Sequence, residues 1–118
     1  MPVRSLSSSV LKWPDARTVD AAVRDWAEAV RRARSDVVRI GYFGSYARGD
    51  WSVGSDVDLL IVVEDSDRPF EARTADWDAT SLPVPADLLI YTRHEWESLV
   101  SRGGFHEAVQ SAVWVYPE

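Results

Sequence analysis

The sequence predicts an α+β domain, sandwich-like, in which a small mixed β-sheet is flanked by helices. Three observations carry this. A long amphipathic stretch stands near the start, three β-branched or apolar runs follow it, and two short helical patterns with a last apolar run close the chain. The order helix, strand, turn, strand, strand, helix gives an α+β or α/β domain with a small mixed sheet.

From Asp15 to Arg34 the period is helical. Val19, Ala22, Val23, Trp26, Ala29, Val30 and Ala33 recur at spacings of three and four, which gives one apolar stripe. Asp15 or Thr18 can cap its start. "VVRIGYF" (Val37–Phe43) lies between Asp36 and Gly44 and reads as a strand. "SYARGD" follows as a helical turn closed by Gly49, and "WSVGS" as a loop. "DVDLLIVVE" is a second strand, whose solid apolar half requires cover on both faces.

Residues 65–83 are charged and less regular, with Phe70, Trp77 and Leu82 as anchors and a short helix expected near 70–79. "PADLLIYT" (Pro85–Thr92) is a third strand. "RHEWESLVSRG" and "FHEAVQSA" are short helices broken at Gly103-Gly104, and "VWVYPE" is a final short strand. Residues 1–14, with the serine cluster Ser7-Ser8-Ser9, read as a loose lead-in to one domain over 15–118.

A chain of 118 residues can bury roughly 65% of its unfolded surface, enough for a modest core. Its 46% hydrophobic and 27% charged residues are those of a globular protein. With no cysteine, disulfides and thiolate metal sites are excluded. No apolar run reaches membrane-span or signal-peptide length, so a cytoplasmic location is expected. A net charge of −6 argues against sequence-blind nucleic-acid binding, which depends on Lys and Arg. A polyphosphate ligand would need metal ions, backbone N–H groups or a few arginines.

The informative stretch is "FGSYARGDWSVGSDVDLLIVVE" (Phe43–Glu64). In a strand, residues i and i+2 share a face, so Asp56 and Asp58 project together. Two adjacent carboxylates repel unless a cation lies between them, and oxygen donors at that separation suit a hard divalent ion. An Asp-x-Asp pair by itself also fits a solvated strand edge or a cap. Asp87 opens another apolar strand, and if the two strands are neighbours it adds a third carboxylate to one sheet end. Three such groups can hold two Mg²⁺ ions that clamp attacking and leaving oxygens.

Gly44-Ser45 ends a strand and opens a helical turn, where outward N–H groups attract phosphate, Gly44 permits close approach and the Ser45 hydroxyl can donate. The spacing and lysine of a Walker A loop are absent. Arg48, three residues on, either reaches a triphosphate or pairs with Asp50. Tyr42 and Tyr46 flank the turn, as base-stacking rings or as core. Trp51, expected to be exposed, lies in the loop between turn and carboxylates, near any ligand. His94 and His106 have no partner at ligand spacing and take a structural or exposed role.

With ten residues between Ser45 and Asp56, "GSYARGDWSVGSDVDLLIVV" resembles the signature of the DNA polymerase β-like nucleotidyltransferase superfamily. Ala47-Arg48-Gly49, Ser55-Asp56 and Asp58-Leu59 resemble most its minimal nucleotidyltransferases, the antitoxins of HEPN/MNT toxin–antitoxin pairs. "ADLLIYTRHEWESLVSRGGFHEAVQSAVWVYPE" is similar in plan to their C-terminal part, so the resemblance covers roughly residues 20–118. It implies a polymerase β-like palm fold in which Asp56, Asp58 and Asp87 bind Mg²⁺. Asp87 would also help deprotonate the acceptor, while Gly44, Ser45 and Arg48 hold the triphosphate. The implied reaction moves a nucleoside monophosphate, AMP from ATP, onto a hydroxyl and releases pyrophosphate.

Beyond the catalytic sheet and its helices nothing is left over for an acceptor domain, so the acceptor is expected on a docked partner protein. The resemblance makes that partner a HEPN ribonuclease toxin, modified on a tyrosine. Two alternatives stand beside it: an inactive antitoxin that neutralises by binding, and a stand-alone enzyme modifying small molecules.

Overall fold

The computed structural model describes residues 13–104 and 106–117. The expected lead-in therefore lies mostly outside the described residues, as do Phe105 and Glu118. The first helix, α1 (Ala16–Ala33), starts at Asp15, whose Oδ1 accepts from the Thr18 N–H at 2.8 Å. Of the two candidate caps, Asp15 is the one used. Its buried face is Val19, Val23, Trp26 and Ala27, whereas Ala29 and Ala33 are exposed. The stripe thus follows i, i+4, i+7, i+8 and leaves the two later alanines on its edge.

Strands β1 (Val37–Phe43), β2 (Val57–Val63), β3 (Ala86–Thr92) and β4 (Val113–Tyr116) form one sheet in the order β3-β2-β1-β4. β1 runs antiparallel to β2 and β4, while β2 and β3 are parallel, so the sheet is mixed. Between β1 and β2 lies the one-turn helix α2 (Ser45–Arg48). The parallel crossover from β2 to β3 carries a 3-10 helix, Phe70–Asp76, where a short helix was expected. Helices α3 (Arg93–Ser101) and α4 (His106–Ser111) flank the turn containing Gly103, as the glycine pair predicts.

The sheet separates two apolar clusters. On one face α1 packs Val19, Val23 and Trp26 onto Ile40, Tyr42, Leu59, Ile61 and Val63. On the other, Trp96 of α3 packs onto Leu60 and Val62. β2 is thereby covered on both sides, which is why its sequence is an unbroken apolar run. Thr92 begins α3 through a capping box: its side chain accepts from Glu95 N–H, and Glu95 Oε1 accepts from Thr92 N–H at 2.9 Å.

A charged clamp ties the crossover to this helix. Arg73, 5% exposed, donates to both Glu95 oxygens at 2.6 and 3.0 Å and to the Ile90 carbonyl at 3.0 Å. A buried guanidinium is tolerable only with such a fork of partners. No helix among the described residues is long and apolar enough to cross a membrane.

Candidate active site

β1 ends at Phe43, and Gly44 takes φ 80°, ψ −152°, a backbone conformation open essentially only to glycine. The chain then turns into α2, where the Gly44 carbonyl accepts from Arg48 N–H at 2.9 Å. Gly49, at φ 88°, closes the turn in the left-handed region. Ser45 is half-buried, and its hydroxyl has no hydrogen bond among the described residues.

A Cβ built on Gly44 would run into Oδ2 of Asp58. Turn and carboxylate are therefore in contact, although fourteen positions separate them in sequence. Phe43 and Asp58 are register partners in the β1–β2 ladder, which sets up this approach. In the β2–β3 ladder the partner of Asp58 is Asp87, so both side chains stand on the same face of neighbouring strands. That face is the one carrying Leu60 and Val62, opposite α1.

Asp56 differs slightly from expectation. β2 begins at Val57, so Asp56 is an exposed residue just ahead of the strand rather than its first member. It is still near: burial, then the negative charges of Asp87 and Asp56, push the Asp58 carboxyl above its ordinary value, while Arg48 pulls it back. Crowded negative charge around a half-buried carboxylate is a donor set suited to a hard dication. Among the described residues, however, no three such side chains close into a cluster able to enclose a metal ion. The donors share one end of the sheet without converging on one point.

Arg48 is exposed and its Nε lies 3.2 Å from Asp50 Oδ2, so the pairing alternative is realised while its charge still reaches Asp58. Tyr42 and Tyr46 belong to the core. The Tyr42 hydroxyl donates to Asp20 Oδ1 at 2.7 Å and the Tyr46 hydroxyl to the Pro14 carbonyl at 2.8 Å. Trp51 is half-buried rather than exposed, stacked on Tyr46 with centroids 5.6 Å apart and planes at 9°. His94 and His106 are exposed.

The loop ahead of the carboxylates is fastened in a way that no local sequence pattern encodes. Trp13 Nε1 donates to the Ser55 carbonyl at 3.2 Å. Trp13 and Pro14, expected in the loose lead-in, therefore brace the loop on either side of Trp51. An isolated "WP" before a helix carries no signal for a contact 42 positions away.

Residues 23–107 match the family described as "Nucleotidyltransferase domain". The chain belongs to that family. A Methanocaldococcus jannaschii protein named "putative protein adenylyltransferase" is 41% identical over 44 residues, which is 36% of this chain and 44% of the relative. The chain thus matches less than half the length of that relative. A crystal structure of a "putative nucleotidyltransferase" from Sulfolobus solfataricus superimposes with a TM-score of 0.61, covering 84% of this chain and 80% of the other. At 19% identity that likeness speaks to the fold, and it agrees with the mixed sheet and flanking helices described above.

Proposed function

We propose that this nucleotidyltransferase transfers AMP from ATP to a hydroxyl group of another protein. The reading rests chiefly on one observation: Gly44, held where only glycine fits, sits against Asp58, whose register partner is Asp87. The absent side chain lets the Asp58 carboxylate lie directly against the turn, beside a Ser45 hydroxyl that has no hydrogen-bond partner among the described residues and can donate to phosphate.

In the reaction, an acceptor hydroxyl oxygen bonds to the α-phosphorus as the bridge to the β-phosphate breaks. Pyrophosphate leaves, and the hydroxyl proton passes to a base, a role we give to Asp87. Asp56, Asp58 and Asp87 would hold Mg²⁺, which supplies charge neutralisation for attacking and leaving oxygens. Gly44 and Ser45 orient the triphosphate, with Arg48 turning from Asp50 to support it. Rate enhancement of this kind comes from positioning and charge stabilisation.

A protein acceptor is supported by the 44-residue similarity to the Methanocaldococcus jannaschii protein. The acceptor we favour is a tyrosine of a HEPN ribonuclease toxin, which makes this chain a cytoplasmic antitoxin. That choice rests on the resemblance of the Gly-Ser to Asp-x-Asp segment. A second reading, neutralisation by binding alone, draws on the unconverged carboxylates.

The deciding experiment incubates the protein with labelled ATP, Mg²⁺ and the product of the adjacent gene. Label on the partner, lost with Asp56→Ala or Asp58→Ala, supports transfer. Tight complex formation without label, by the intact protein, sinks it in favour of binding alone.

A further inference from the structure

β3 is an edge of the sheet. The Val57 N–H donates to the Pro85 carbonyl at 2.9 Å, and Val57 is in register with Ala86. In a parallel ladder, alternate residues turn their backbone groups to opposite sides. Pro85, Asp87, Leu89 and Tyr91 therefore face β2, while Ala86, Leu88, Ile90 and Thr92 face outward. The later half of this outer edge is already occupied. Arg73 takes the Ile90 carbonyl at 3.0 Å, and Glu95 accepts from the Thr92 N–H at 2.9 Å. Ahead of it, the outward groups of Ala86 and Leu88 have no such partner among the described residues.

A groove of about 640 Å³ runs beside this open half, walled by Trp77, Leu82 and Val84 and, on the strand side, by Ala86, Asp87 and Leu88. Trp77 is held in the wall by the Arg34 guanidinium, 4.3 Å from its ring centre, and by Trp26 at 6.3 Å. Among the described residues, the only charged one lining the groove is Asp87.

We propose that this groove receives an extended segment of the acceptor protein, which adds to the free edge of β3 and brings its hydroxyl side chain to Asp87. The inference rests on the protein-acceptor reading above and names how that acceptor is held. Outward backbone donors and acceptors at alternate residues are the complement of an extended polypeptide. Among the described residues the lining holds no Lys or Arg, which favours a polypeptide over a polynucleotide, whose phosphates need cations. Every second side chain of an added strand falls on the face shared by Asp58 and Asp87. The β3 edge thus holds the backbone and the groove, on the α1 side, takes alternate side chains, while the carboxylate face receives the hydroxyl, whose oxygen forms the bond to the α-phosphorus as pyrophosphate departs.

The test uses the intact, amide-labelled protein in NMR titrations with two probes. One is a pool of capped hexapeptides with a central tyrosine; the other is the same pool N-methylated at alternate nitrogens. The expected result is that the Ala86 and Leu88 amides shift and exchange at least tenfold more slowly with the first pool only. Ala86→Pro, which removes an outward N–H, is expected to weaken that binding at least tenfold while ATP still shifts Gly44 and Ser45. Equal binding of the methylated pool, or no response at Ala86 and Leu88 up to millimolar peptide, overturns the proposal. So does concentration-dependent protection of these amides without peptide, because a second copy would then cover the edge. Absence of any ATP response at Gly44 and Ser45 counts against the nucleotide reading instead, and leaves the peptide result to decide strand docking.

Discussion

The carboxylate of Asp58 fills the space that a side chain on residue 44 would need, with Cγ 3.3 Å and Oδ2 closer still to the position of a Cβ there. Residue 44 is therefore constrained twice, by its positive φ and by the group it faces.

Gly44→Ala is expected to cost about 1–3 kcal/mol of stability from backbone strain alone, with further loss from displacing Asp58. Urea denaturation measures it. In the Asp58→Ala background the same substitution should cost less, because the collision is gone. Strict additivity of the two changes would show that the contact is not formed in solution.

Asp58→Asn should stabilise the metal-free protein at neutral pH. Burial first, then Asp87 and Asp56, raise the folded-state pKa of this carboxyl, so the folded protein holds the proton more tightly than the unfolded chain. Its contribution to stability is accordingly present at low pH and declines as pH rises from the ordinary carboxylate value of 3.8. Removing the charge relieves that penalty, by about 0.5–2 kcal/mol on the scale of similar site substitutions. Thermal melts in chelator provide the measurement. Added Mg²⁺ should raise the melting temperature of the parent protein and leave the variant unmoved.

The Arg73–Glu95 clamp has the opposite sign. Paired with Arg73 and bonded by Thr92, the Glu95 carboxyl is held down at about 2. It stabilises the fold at pH values above its ordinary 4.5, and that contribution is lost as pH falls toward 2. Glu95→Gln should destabilise by about 1.5–3 kcal/mol, the range for hydrogen bonds to charged groups, and should flatten the stability profile between those pH values.

Arg48→Ala should separate binding from folding. Its partner Asp50 and the guanidinium are both exposed, so the pair is worth less than about 1 kcal/mol and the melting temperature should hardly change. ATP affinity, read by calorimetry, should drop about tenfold if the arginine turns to the triphosphate. Unaltered affinity would confine Arg48 to its surface pairing.

Much of the fold could be read from the sequence because its strands are short apolar runs with clear stops. The carboxylates were legible for the same reason: Asp58 and Asp87 each stand near the start of such a run. What could not be read depends on distant partners. Arg73 finds Glu95 twenty-two residues on, Tyr42 finds Asp20, and Trp13 finds the loop before Asp56. Trp51 looked exposed because its loop is polar, but Tyr46 offers a flat ring five residues earlier in the chain. The groove beside β3 is a property of strand order, which no local pattern encodes.

The pairing of Asp58 with Asp87 in the β2–β3 ladder has an inheritance of its own. Slip β3 by one residue and Asp87 moves to the opposite face, but Leu89 is then pulled off the Leu60–Val62 cluster as well. The apolar residues that make the strands adhere are thus also the custodians of the alignment of the two carboxylates. Random substitution can weaken this protein gradually, yet it has no easy route to a well-folded molecule whose two strand carboxylates have parted company.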